Sequence, residues 1–447
     1  MKKTDQIIII GAGLCGTLLA IRMAQRGFTV SLFEKRPDLR KTDLAAGRSI
    51  NLALSNRGLL ALERAGLKEV IAAECIPMRG RFVHPLGAEA FLSPYSGRPE
   101  DYINSVSRPG LNSRLLEEAE RYEEITFHFE APVVAVDLKA ATITYRKGDE
   151  ELTASGSVVI GTDGAGSIVR RTMMQHTTEL LFNYSQDFLR HGYKELSIHP
   201  VPGGSWAIEK EALHIWPRGS FMIIALPNLD GSFTLTMFHP YDGEVGFNAL
   251  NTSEKVKAFF EDYYPTLLPY IPHYQQEFFE NPTSNLGTIK CYPWQAFGKA
   301  LIMGDAAHAI VPFYGQGMNA SLEDVRVFDD LLDVHGTNWP TLFDAFQDAR
   351  KDNANAIADL AIDNFYEMRD HVDDVAFIRK RKIEMQLEQQ FPDYYSKYSL
   401  VTFRPDLSYE TAMLQGRRQD QKLLDLVRRD DFDRIPLGDY HRALQGV

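Results

Sequence analysis

Cysteine is scarce in this chain: Cys15, Cys75 and Cys291 are the only three in 447 residues. An odd number without paired or metal-like spacing points to neither a disulfide framework nor a zinc site, and it fits a reducing compartment. Positive charge is in the minority too. Against 60 Asp and Glu stand 48 Lys and Arg, a formal charge of -12, which repels phosphate backbones and anionic lipid and makes nucleic acid a poor partner. Long apolar runs are missing as well. The nearest is Ile7 to Ile21, uncharged and preceded by Lys2 and Lys3. It resembles the apolar part of a signal peptide, yet glycines interrupt it, no small-residue cleavage site follows, and it falls short of a membrane span. Neither a secretory leader nor a span is predicted. With 44% hydrophobic and 24% charged residues, the composition argues against disorder, collagen-like repeats and coiled coil, and the length suits two or three packing units.

The opening reads as a βαβ unit. Gln6 to Ile10 is β-branched, Gly11 to Gly16 is glycine-punctuated, Leu14 to Arg26 has helical spacing with Gly27 as its stop, and Thr29 to Phe33 is apolar again. Further strands are predicted at Ile125 to Phe129, Val133 to Asp137, Ala141 to Tyr145 and Val158 to Gly161, with a helix over Leu111 to Tyr122. From about Leu180 to Asn285 the pattern turns to alternating strands such as Phe221 to Ala225 and Phe233 to His239, a separate and mostly antiparallel layer. A short apolar strand returns at Ala300 to Met303, a glycine-rich loop leads to a helix near Ala320, and the sequence is helical and charged from Trp339 onward.

Gly11-Ala12-Gly13-Leu14-Cys15-Gly16 lies between a strand and a helix, as a dinucleotide fingerprint must. The first glycine permits a tight turn, the second lets backbone N–H groups approach a pyrophosphate, and the third allows close helix packing. Glu34, at the end of the second strand, is placed to accept hydrogen bonds from an adenosine ribose. There is no second fingerprint of this kind between a strand and a helix.

Two further motifs decide the dinucleotide. Val158 to Ser167, with Asp163-Gly164, resembles the Asp-Gly motif of the flavoprotein aromatic hydroxylases, and Gly304-Asp305-Ala306-Ala307-His308 resembles their Gly-Asp motif. Within that class A FAD-dependent family, Arg48 to Ser55, Pro77 to Arg81, Ser105 to Arg108, Val311 to Asn319, Asp363 to Arg369 and Tyr398 to Phe403 are similar to the kynurenine 3-monooxygenases, and the likeness extends across nearly the whole chain. It implies an α/β fold: a Rossmann-type FAD-binding domain of the para-hydroxybenzoate-hydroxylase type, an inserted, mostly antiparallel substrate sheet, and a C-terminal helical segment. The expected boundaries are 1–75, 100–180 and 286–370 for the FAD domain, 76–99 and 181–285 for the substrate domain, and 371–447 for the helices. The resemblance implies FAD contacts at Gly11, Gly13, Gly16, Glu34, Arg108, Asp163, Asp305, Pro312, Gly317, Met318 and Asn319.

The resemblance also places a substrate-carboxylate clamp on Arg81 and Tyr95, with Asn364 and Tyr398 closing the amino-acid end of the pocket and Phe313 as a further substrate-binding residue. An Arg fork suits a carboxylate because its hydrogen bonds are charge-assisted and often bidentate; nearby Arg79 is a candidate to exchange roles with Arg81. The implied reaction is NADPH- and O2-dependent hydroxylation of L-kynurenine beside its amine, through a flavin hydroperoxide, with no side chain as dedicated acid or base. His308 is expected to pack or cap. Phe377 to Phe391 reads as either a lid or a solvated helix. An anchor-free, cytoplasmic, bacterial-type form is implied by the polar ending after Asp430, as monomer or homodimer. Two other readings stand beside this one: a hydroxylase of anthranilate- or benzoate-type acids, and a flavin-binding redox protein without turnover.

Overall fold

The computed structural model describes residues 5–41, 51–370 and 374–445, without the side chains of 368–370. Lys2, Lys3, Arg48, Ser49 and Ile50, together with the side chains of Met368 and Arg369, lie outside the described residues.

Strand Gln6–Ile10 carries four consecutive isoleucines, all buried. An apolar run with no alternation needs cover on both faces, which a parallel sheet between helices provides. The strand is central: the six-stranded sheet runs Gln295–Ala296, Ala300–Ile302, Val158–Gly161, Gln6–Ile10, Thr29–Phe33, Ile125–His128, all parallel except the two-residue edge. Helix Leu14–Gln25 returns the chain across it and stops where Gly27 adopts φ +81°. The predicted helix at Leu111 begins earlier, at Arg108, because the Ser107 hydroxyl caps it by accepting the Gly110 N–H at 3.3 Å.

A second, seven-stranded sheet runs Ser284–Tyr292, Asn183–Ile198, Phe233–Pro240, Phe221–Pro227, Leu213–Arg218, Gly80–Val83, Phe91–Pro94. Its long strand Asn183–Ile198 escapes a pattern search because its first half is largely exposed and polar; pairing with Ser284–Tyr292 and Phe233–Pro240 makes it. Along the inner strands the side chains divide by the period of two. Ile223, Ala225, Leu235 and Met237 pack with Val256, Phe259 and Phe260 of helix Ser253–Tyr263, while Met222 and Phe238 face the opposite way, toward Val311, Phe313 and Tyr314. Strand Gly80–Val83 joins in parallel to Leu213–Arg218, with Arg81 opposite Leu213.

The helices Gly317–His335, Trp339–Asp370, Val375–Gln390, Lys397–Phe403, Tyr409–Val427 and Leu437–Leu444 close the chain. Among the described residues, no helix is long and apolar enough to cross a membrane.

Candidate active site

The glycine turn makes a cradle. Gly11 has φ +105°, and a Cβ on Gly16 would stand 2.0 Å from the Gly11 carbonyl oxygen, so helix Leu14–Gln25 touches the strand only through a glycine. A Cβ on Gly13 would meet nothing within 4 Å. That helix begins with no side-chain cap and no acidic residue in its first turn, which leaves its N-terminal N–H groups available to an anion. Glu34 accepts the Ala12 N–H at 3.0 Å and the Arg36 backbone N–H and Nε at 3.0 and 2.8 Å. Burial works against its charge, yet Arg36 and these N–H groups hold the carboxyl below its usual range.

Asp163 and Asp305 face the same cavity. One Asp163 oxygen accepts the Ile168 N–H at 2.6 Å, and the other is buried without a partner among the described residues. Burial accordingly pushes the Asp163 carboxyl up. His308 is buried behind the cavity with its Nε2 2.6 Å from Asp324 Oδ2. Asp324 also accepts the Gly304 N–H at 2.9 Å and Arg350 Nε at 2.7 Å. Burial opposes its ionisation, but His308 and Arg350 prevail and hold it at about 2. The imidazole therefore packs and pairs, as expected, and the network anchors the Gly-Asp turn to helix Gly317–His335. That helix also starts uncapped, without acidic residues in its first turn, and Gly317 and Met318 line the cavity. Asn319 lies beneath: it accepts the Ser55 N–H at 2.9 Å and donates to the Ala53 and Gly315 carbonyls at 2.8 and 3.0 Å.

One cavity of about 820 Å³ runs from Glu34 past Gly11, Gly13, Arg108, Asp163, Asp305, Pro312 and Gly317 to Phe313, Arg81, Tyr95 and Tyr398. Its volume lies in the range of cofactor and ligand cavities, and its lining joins the glycine turn to the face of the seven-stranded sheet. The Arg81 guanidinium stands 5.5 Å from the centre of the Tyr95 ring and 4.9 Å from that of Tyr398. The two tyrosines stack at 5.4 Å. The Tyr95 hydroxyl is buried without a hydrogen-bond partner among the described residues. Arg79 is elsewhere: half exposed, it pairs with Glu211 at 3.0 Å. Asn364 is buried but does not line the cavity; its Nδ2 donates to the Phe313 carbonyl at 2.6 Å. Gly16 likewise stays out of the lining.

Sequence reasoning missed the apolar wall. Met222, Ile224 and Leu226, with Leu213, Thr236 and Phe238, line the cavity. Their even spacing along each strand is the available signal, but the odd positions are equally apolar, so alternation alone cannot tell cavity from core. The helix Val375–Gln390 buries Lys380, Glu384, Leu387 and Glu388, and its Arg381 donates to the Pro94 and Tyr95 carbonyls at 2.9 and 2.8 Å. It is neither free nor fully solvated.

These residues fit FAD. The open space over Gly13, the carboxyl side chains of Asp163 and Asp305 and two uncapped helix starts lie along one elongated cavity. Comparison with known proteins agrees. The family model described as "FAD binding domain" matches residues 4–191 and 270–361. Kynurenine 3-monooxygenase of Dictyostelium discoideum is 44% identical over 438 residues, covering 95% of this chain and 94% of the relative. That of Myxococcus xanthus is 44% identical over 421 residues, covering 94% and 90%. In fold, the chain is similar to 2-methyl-3-hydroxypyridine-5-carboxylic acid oxygenase, with TM-score 0.66, 19% identity and coverage of 83% and 94%. It is also similar to Pseudomonas aeruginosa PqsL in complex with 2-aminobenzoylacetate, with TM-score 0.63, 18% identity and coverage of 82% and 97%.

Proposed function

Because the chain belongs to the kynurenine 3-monooxygenase family, we propose that it hydroxylates L-kynurenine at ring carbon 3, beside the amine, with FAD as resident cofactor and NADPH and O2 as co-substrates. The observation that carries the substrate end is Arg81, a cation lining the cavity beside the stacked rings of Tyr95 and Tyr398, with no carboxylate paired to it among the described residues.

When bound, FAD would supply the oxygen-transfer chemistry, with NADPH as the electron source and O2 as the oxygen source. The chain's own residues bind and orient. Gly11, Gly13 and the start of helix Leu14–Gln25 would take the pyrophosphate, with Arg108 at the rim. Glu34 would take the adenosine ribose, and Asp163 and Asp305 the ribitol side. Pro312, Gly317 and Met318 would meet the ring system, on a loop held by Asn319.

Arg81 would pair with the substrate's α-carboxylate. Burial pushes the Tyr95 and Tyr398 phenols above their ordinary range, so both stay protonated at neutral pH, and the unpartnered Tyr95 hydroxyl would donate to that carboxylate. Asn364 acts on this end through the Phe313 carbonyl. Met222, Ile224, Leu226 and Phe238 form an apolar wall that excludes water from the reacting carbon. An aniline ring is itself nucleophilic, so orientation rather than proton transfer is the protein's task.

In this reading the parallel sheet carries the cofactor and the seven-stranded sheet the substrate. A cytoplasmic setting is supported by the free thiols of Cys15, Cys75 and Cys291. The test is NADPH oxidation by the FAD-loaded protein. L-Kynurenine accelerates it and anthranilate does not; a rate indifferent to kynurenine contradicts the reading.

A further inference from the structure

Tyr398 owes its place to a seven-residue helix, Lys397–Phe403, too short to hold itself in water. Its start is fixed by the Ser396 hydroxyl, which accepts the Ser399 N–H at 3.4 Å, and by the Ser396 N–H, which donates to Glu388 at 2.8 Å. Those contacts set where the helix begins, but neither fixes its rotation about its axis. Leu400, Val401 and Phe403 pack into the core on its other faces, and the residue beside Tyr398 anchors the face turned toward the neighbouring helices. Lys397 turns away from the cavity and buries its ammonium between two other helices. It pairs with Glu367 of Trp339–Asp370 and with Asp420 of Tyr409–Val427, the latter at 2.7 Å.

The fit is close. A Cβ on Gly416 would come within 2.6 Å of Lys397 Cγ, so helix Tyr409–Val427 presents bare backbone where the lysine stem crosses it. Lys380, on helix Val375–Gln390, binds the other Asp420 oxygen at 2.7 Å and Glu384 at 3.3 Å. Two lysines thus meet three carboxylates, and the side chains of Lys380, Glu384, Lys397 and Asp420 are about nine-tenths buried or more. Burial works against the charge on Lys397, yet Asp420 and Glu367 outweigh it and keep the ammonium protonated.

We infer that Lys397 is a positioning residue for the substrate end: its ion pairs with Glu367 and Asp420 set the rotation of helix Lys397–Phe403 and hold the Tyr398 ring against Arg81 and Tyr95. The inference rests on the functional reading above. Removing the ammonium leaves the partly exposed Glu367 facing the buried Asp420, which costs more than an exposed pair would. The helix then turns to relieve them, and the Tyr398 ring moves with it. A clamp displaced by a fraction of an ångström loses affinity, while a ring that still binds reacts on the same cofactor.

The experiment measures the dissociation constant of L-kynurenine for the FAD-loaded full chain, read from the perturbation of flavin fluorescence, with FAD content as control. Lys397→Met is expected to weaken kynurenine about tenfold and to raise KM similarly, with kcat within about threefold and FAD content unchanged. Adding Glu367→Gln to Lys397→Met removes the stranded charge and restores affinity to within about threefold of the wild type. Kynurenine affinity unchanged in Lys397→Met, or a double variant no better than the single, overturns the inference. If Lys397→Met does not fold, Glu367→Gln alone, on a partly exposed carboxylate, must weaken kynurenine about threefold; unchanged affinity there overturns it equally. A wild-type chain that holds FAD but binds no kynurenine is a different result: it removes the functional reading rather than the role of Lys397.

Discussion

The Arg81 guanidinium lies 4.9 Å from the centre of the Tyr398 ring, although one residue sits on an edge-side strand of the seven-stranded sheet and the other on a helix near the end of the chain. The pairing closes one end of the cavity. Arg81→Ala is therefore expected to raise KM for L-kynurenine by roughly a hundredfold with FAD retained, the scale of a desolvated charge pair lost. Arg79→Ala should leave KM unchanged, since that side chain pairs with Glu211 at the surface. Steady-state kinetics on the two variants decides; equal effects would remove Arg81 from the clamp.

Tyr95→Phe separates binding from stability. Its hydroxyl is buried and unpartnered without ligand, so deleting it should leave the thermal midpoint of the ligand-free protein equal or higher. Kynurenine should bind about ten- to a hundredfold more weakly, the value of one hydrogen bond to a charged group. Calorimetry and a binding titration check the two halves.

The glycines of the cradle predict opposite phenotypes. A Cβ on Gly16 collides with the Gly11 carbonyl and with Thr162 Oγ1 at 2.4 Å, so Gly16→Ala should destabilise the apoprotein itself. Gly13→Ala meets only open space and should cost the apoprotein within about 1 kcal/mol. It should nevertheless bind FAD at least about tenfold more weakly, because the methyl occupies the room of the pyrophosphate. Apoprotein melting and FAD titration are the measurements.

Asp324 predicts acid lability. Its folded pKa of about 2 lies below the ordinary aspartate value of 3.8. A depressed carboxylate contributes stability that is present above the unfolded pKa and lost as pH falls through the folded one. Here that is about 2 kcal/mol, lost from about pH 4 to about pH 2. Asp324→Asn should destabilise the protein by roughly 3 kcal/mol at neutral pH, and the gap to the wild type should narrow over that acid window in denaturant titrations.

The cofactor half was the more legible in sequence, for a physical reason. Gly11 to Gly16, Val158 to Ser167 and Gly304 to His308 are local: in the proposed reading each turn would meet the cofactor largely through its own backbone, so spacing along the chain carries the geometry. The substrate end is assembled from afar. Arg81 reaches the cavity because strand Gly80–Val83 pairs in parallel with Leu213–Arg218, a pairing no local pattern announces. Met222 and Ile224 were indistinguishable from Ile223 and Ala225 by composition, since both faces of that strand are apolar. Lys397 reads as one more charged residue in a charged helical stretch; only the close approach of Gly416 and the arrival of Asp420 and Glu367 give it a role.

The most direct measurement is mass spectrometry of the product formed from L-kynurenine by the FAD-loaded protein with NADPH and isotopically labelled O2, with anthranilate as competitor. The account predicts kynurenine carrying one labelled oxygen on the ring carbon beside the amine, and anthranilate unchanged. Oxidation of NADPH that leaves kynurenine unlabelled, or labelled anthranilate in its place, would contradict it.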